Sequence, residues 1–109
     1  MVRPRIAIGG AIAIGPGKID LLRQVAERRS ISGAARALGL PYKRAWLLIE
    51  SLNRGFGRPV VEAAAGGKGG GGARLTPLGE ALVARYGDLE AKIDAATQPE
   101  LKALRALTE

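Results

Sequence analysis

The chain of 109 residues contains no cysteine and no histidine. Disulfides, thiolate and imidazole metal ligands, cysteine nucleophiles and serine–histidine chemistry are excluded together. Aromatics are scarce: one Trp, two Tyr and one Phe. A core must therefore come from Ala, Leu, Ile and Val, which suits closely packed helices. No apolar run approaches the ~20 residues of a membrane span. The opening MVRPRIAIGGAIAIGPGK interleaves charge with isoleucine, and lacks the unbroken apolar run and small-residue cleavage site of a signal peptide. No set of acid, base and nucleophile can be assembled for catalysis. The expectation is a cytoplasmic protein that is not an enzyme, with no cofactor, no metal and no membrane partner.

Positive charge is plentiful, and its placement matters more than the net +7. Residues 1–87 hold 14 Lys/Arg against 5 Asp/Glu; residues 88–109 hold 3 against 5. The surplus belongs to the first four-fifths of the chain. Such a field favours a polyanion, because each neutralised phosphate releases condensed counterions.

Ser30 to Gly55 reads as two helices joined by a tight turn. The first carries Ala34, Ala35 and Leu38 on one face, and Gly39 breaks it. Pro41 can sit in the first turn of the second helix, where its missing N–H costs nothing. Ala45, Ile49 and Leu52, at i, i+4 and i+7, form one apolar stripe. The opening turn instead offers Tyr42, Lys43 and Arg44 to solvent. A helix held by its back half, with aromatic and basic residues at its front, suits the DNA major groove.

The rest of the chain reads as support. Ile6, Ile8, Ile12 and Ile14 alternate around Gly9-Gly10. A three-residue loop, Gly9 to Ala11, pairs Ile8 with Ile12 and Ile6 with Ile14, and so puts all four isoleucines on one face. After Gly15-Pro16-Gly17, a helix is expected over Lys18–Arg28 with Ile19, Leu22, Val25 and Ala26 inward. Ser30 and Ser32 are both plausible caps of the next helix; Ser32 is favoured by the Gly-Ala-Ala after it. The Ser32 hydroxyl also has the chemistry to meet a phosphate.

Past Gly55, Val60 to Ala64 and Ala73 to Leu75 read as two strands around Gly66-Gly67-Lys68-Gly69-Gly70-Gly71-Gly72, a wing after a helix-turn-helix. Gly67, Gly69 and Gly72 formally match a dinucleotide fingerprint, but no helix opens at its end and no βαβ unit surrounds it. A Walker loop fails because Glu62 and Gly69 stand where it needs Gly and Ser or Thr. Thr76-Pro77 has the cap-then-proline start of a long helix, expected to run to about Ala96. Leu82, Tyr86, Leu89, Ile93 and Ala96 recur with 4-3-4-3 spacing, the seam of a short coiled coil. Packing on the chain's own first helix suits Leu78 and Leu82 and suits Leu89 and Ile93 less, and dimerisation through this helix is the expectation. A dimer would set two recognition helices about 34 Å apart, one DNA turn. Thr97 and Glu100 have capping-box spacing for a short tail helix with Leu101, Leu104 and Leu107 on one edge.

The run Ala34-Ala35-Arg36-Ala37-Leu38-Gly39, then Pro41-Tyr42-Lys43-Arg44-Ala45-Trp46, then GGKGGGGARLT with Gly79 beyond it, resembles the N-terminal winged-helix domain of the molybdate-responsive ModE regulators. The resemblance spans roughly Ile19 to Ile93. A fainter similarity to the LysR-type DNA-binding domain covers the same helices. The resemblance implies a dimeric, sequence-specific transcription factor. The family binds molybdate through C-terminal domains, for which a chain ending at Glu109 has no room, so molybdate is not expected to bind this chain directly.

The expected fold is mainly α: a winged helix-turn-helix with a small β-hairpin wing, an N-terminal β-hairpin and a long C-terminal dimerisation helix. Residues 1–75 would form the DNA-binding domain, with hairpin 5–14 and wing 60–75, and residues 76–109 the dimerisation helix and tail. Tyr42, Lys43 and Arg44 are expected to touch bases and phosphates, Arg44 being best suited to a bidentate guanine contact. Lys68 is the wing contact. Ser32, Arg36 and Arg74 are phosphate candidates that also make sense as a cap and solvated charges. Trp46, one position outside the apolar stripe, is expected to pack beneath the wing in preference to touching DNA. The expected partners are double-stranded DNA and a second copy of the chain. Two other readings fit the same residues: a non-specific architectural nucleic-acid binder, and a protein-interaction module serving a separate regulator.

Overall fold

The structure, a computed structural model, describes residues 3–9, 12–64 and 72–108. Along the chain these form β1 (Ile6–Ile8), β2 (Ile12–Ile14), α1 (Pro16–Arg28), α2 (Ile31–Ala37), α3 (Tyr42–Phe56), β3 (Val61–Ala64), β4 (Gly72–Leu75) and α4 (Pro77–Ala106). The two strand pairs are separate antiparallel hairpins. In the first, Ile6 faces Ile14 and Ile8 faces Ile12, the register that the isoleucine alternation predicts. Ile14 is buried, while Ile8, nearest the loop, stays 43% exposed.

Helix α1 is the floor of the fold: α2, α3, β4 and α4 all pack on it. It begins two residues before the sequence-based start, because Pro16 takes the first helical position behind an extended Gly15. Ile19, Leu22 and Val25 are buried as expected. Leu21 is buried as well and Ala26 is exposed, contrary to expectation. A helix covered from several directions buries adjacent positions, which a single-stripe pattern does not anticipate.

The cap of α2 is Ser30, not Ser32. Ser30 Oγ accepts from the Gly33 N–H at 2.9 Å, and the Ser32 hydroxyl is 3.2 Å from that same oxygen. Arg29, at φ +55°, turns the chain out of α1 one residue earlier, and this delivers Ser30 to the cap position.

Thr76 caps α4 as predicted, accepting from the Gly79 N–H at 3.1 Å, while its own hydroxyl donates to the Pro59 carbonyl at 2.9 Å. The wing is thereby tied to the start of α4. A Cβ at Gly79 would lie 2.2 Å from the Val60 carbonyl oxygen. Gly79→Ala therefore lowers stability by about 1–3 kcal/mol, the usual cost of overpacking. Helix propensity alone predicts a gain of about 1 kcal/mol. A denaturant titration giving a more stable variant would mean that the backbones are not in contact.

The long helix does not stop at Ala96. It continues to Ala106 with Pro99 inside it, so the tail is not a separate helix. Thr97 caps nothing; its hydroxyl turns back to the Ile93 carbonyl at 2.7 Å. Tyr86 is also reassigned. It is 3% exposed in the chain's own core, and its hydroxyl donates to the Pro4 carbonyl. Beside it, Glu90 pairs with Arg23 at 2.8 Å and Arg3 at 3.0 Å, and Arg3 bridges on to Asp20 at 2.6 Å. The Arg3 guanidinium holds the Asp20 carboxyl below its ordinary range, and Arg23 with Arg3 does the same for Glu90. This cluster fastens the N-terminal arm, α1 and α4 together.

Candidate nucleic-acid interface

Helix α2 ends in a turn that sets the direction of α3. The Leu40 N–H donates to the Ala35 carbonyl at 2.8 Å and the Gly39 N–H to the Arg36 carbonyl at 3.2 Å, with Gly39 at φ +67°. These two bonds around a left-handed residue make a Schellman motif, which only glycine adopts without strain. Pro41 is then the cap residue of α3, one position before the expected first turn.

Ala45, Ile49 and Leu52 are all buried, so the stripe holds α3 onto the body as predicted. The opposite side faces solvent. Tyr42 is 55% exposed, and Lys43 and Arg44 are exposed. Neither Lys43 nor Arg44 forms an ion pair among the described residues.

Each flank of α3 borders a cleft. On one side Tyr42, Trp46 and Glu50 face Glu62, Ala63 and Gly72 of the wing. Asn53 joins these walls by accepting from the Val60 N–H at 2.8 Å. On the other side Arg44 and Leu48 face Arg5 and Lys18. Lys18 Nζ reaches the Ala13 carbonyl at 2.9 Å and Ser51 Oγ at 3.4 Å, so it pins the first hairpin to α3. The result is a basic helix framed by two hairpins.

A family model described as the bacterial regulatory helix-turn-helix protein, lysR family, matches residues 17–80. The chain belongs to the lysR family of helix-turn-helix proteins. MopA of Rhodobacter capsulatus, a molybdenum-pterin-binding protein, is 47% identical over 87 residues, 80% of this chain and 33% of MopA. The transcriptional dual regulator ModE of Escherichia coli K12 is 46% identical over 78 residues, 72% of this chain and 29% of ModE. The chain thus spans about a third of the length of the curated relatives it matches. Among solved structures, the CbnR DBD–DNA complex superposes with a TM-score of 0.64 at 17% identity, covering 81% of this chain and 95% of that one. Full-length LysG from Corynebacterium glutamicum superposes at 0.62 and 24%, covering 84% and 29%. These two establish the winged helix-turn-helix fold.

In this lysR-family domain the sequence-predicted residues do not all converge. Tyr42 and Ser32 border the wing-side cleft, Arg44 the hairpin-side cleft, and neither cleft is lined by Arg36, which is exposed on α2. Arg74 is paired across the wing with Glu62 at 2.9 Å; both are exposed, so water screens the pair. Lys68 and the glycine loop around it lie outside the described residues. Trp46 is not core: it borders the wing and is 44% exposed. On α4, Leu82 packs against the core and Leu89 and Ile93 are half-buried. Sequence reasoning missed Leu47, Glu50 and Arg54. The signal was present, since the stripe at 45, 49 and 52 places the opposite ridge at 43, 47, 50 and 54. Among the described residues no acidic cluster is placed to hold a metal ion, and no helix is long and apolar enough to cross a membrane.

Proposed function

We propose that this chain is the DNA-binding part of a ModE-type transcriptional regulator and grips duplex DNA sequence-specifically as a homodimer. The observation that carries the reading is the open front of α3: Tyr42, Lys43 and Arg44 stand on a helix anchored from behind, and Lys43 and Arg44 have no carboxylate partner among the described residues. Helix α3 enters the major groove, and the two hairpins reach the phosphate walls on either side. Arg44 contacts guanine, and Arg36, Ser32, Arg74 and Lys68 contact phosphates. The relatives' names as transcriptional regulators and the DNA complexes among the structural neighbours support the assignment. Leu89 and Ile93, on the part of α4 beyond Tyr86, supply the pairing surface for a second copy.

Binding-site selection from random duplexes gives the operator. On that operator Arg44→Ala weakens binding by about 1–3 kcal/mol and relaxes the sequence preference at one position. An equal loss on random duplex would make Arg44 a phosphate contact.

A further inference from the structure

We infer that Leu47 reads the methyl groups of thymines in the major groove, which makes this chain select T-containing steps by apolar contact; the inference rests on the DNA-binding reading above. The outward ridge of α3 runs Lys43, Leu47, Glu50, Arg54, half a turn from the buried stripe. Three of its members are ionisable. Leu47, on the second turn, is 42% exposed, and its neighbour Trp46 is 44% exposed. A lone exposed leucine is ordinary. This one occupies the early turns of the helix that faces base edges in the helix-turn-helix arrangement.

The occupant follows from chemistry and size. Along the ridge Lys43 stands one turn before the leucine and Arg54 two turns after, with the half-buried Glu50 between Leu47 and Arg54, and this net positive ridge suits an apolar spot between phosphate walls. The other large exposed apolar side chains of α3, Tyr42 and Trp46, line the wing-side cleft, so Leu47 stands alone on the ridge, and an apolar protein partner would need a wider patch than that. In the major groove the apolar group offered by the base edges is the C5-methyl of thymine. Leu47 on such a methyl loses water from both surfaces, and cytosine at the same place leaves it uncovered.

The test replaces thymine by deoxyuridine, one position at a time, in the duplex selected by the full 109-residue chain. Deoxyuridine keeps every hydrogen-bonding group and removes only the methyl. At one or more positions, binding weakens about fourfold, the ratio equivalent to burying one carbon group. Leu47→Ala loses a similar factor on the thymine duplex and does not distinguish thymine from deoxyuridine. Leu47→Met, apolar and unbranched, keeps the discrimination, and matching thermal melts of all three proteins establish that they are folded. Wild type binding every deoxyuridine duplex as tightly as the thymine one would overturn the inference, as would Leu47→Ala retaining the distinction or a selected site without thymine. In each of those results DNA binding itself survives. Failure of the wild type to retain any duplex removes the DNA-binding reading, and this inference with it.

Discussion

Raising salt from about 50 to 200 mM weakens duplex binding roughly a thousandfold, the loss expected when about six phosphates are neutralised. Six is three basic side chains, Arg36, Lys68 and Arg74, from each copy of the proposed dimer. Residues 1–87 supply the charge, and most of it is unengaged: among the described residues, ion pairs hold only Arg3, Arg23 and Arg74. A single copy would make half those contacts, and the same change in salt would weaken it about thirtyfold. Anisotropy of a labelled duplex, read as the slope of log affinity against log salt, measures this. Equal slopes and equal affinities on selected and random duplexes would indicate an architectural binder. A flat line would leave the protein-interaction module as the surviving reading.

Leu22→Ala removes about 2–5 kcal/mol of stability, a large part of the ~5–15 kcal/mol available to a domain. Leu22 is fully buried at the middle of α1, under the elements that hold α3 and the wing. The cavity cannot collapse without moving several of them, so the cost lies above simple transfer. Thermal melting falls by at least roughly 8 °C. The exposed Leu47→Ala, on the same scale, stays within about 0.5 kcal/mol of wild type. Similar melting curves for Leu22→Ala and wild type would mean that α1 is not the floor of the fold.

What was legible in the residues was whatever local periodicity settles. Alternating isoleucines determine a hairpin register, because a slip by one residue would turn them to water. Ala45, Ile49 and Leu52 locate both the anchored and the open side of α3. Thr76 with Pro77 marks a helix start that nothing later contradicts. What was not legible depends on groups far away in sequence. Tyr86 has the spacing of a seam residue, yet Pro4 offers its hydroxyl a partner and draws it into the core. The Thr97–Glu100 spacing suits a cap, but capping requires the helix to break first, and α4 does not; the Thr97 hydroxyl satisfies an internal carbonyl instead. Ser32 has the better local signal in the Gly-Ala-Ala after it, but the left-handed Arg29 ends α1 so that Ser30 takes the cap position.

The clasp of Arg3, Asp20, Arg23 and Glu90 has a bearing on distance. It fixes α4, a rod of about 45 Å at 1.5 Å per residue, at one angular setting against α1 and hence against α3. In the proposed dimer, the phase between the two reading heads would be decided at this joint and not at the groove. Under that proposal, the spacer length between half-sites would follow from a few salt-linked side chains, and could change without altering a single base contact.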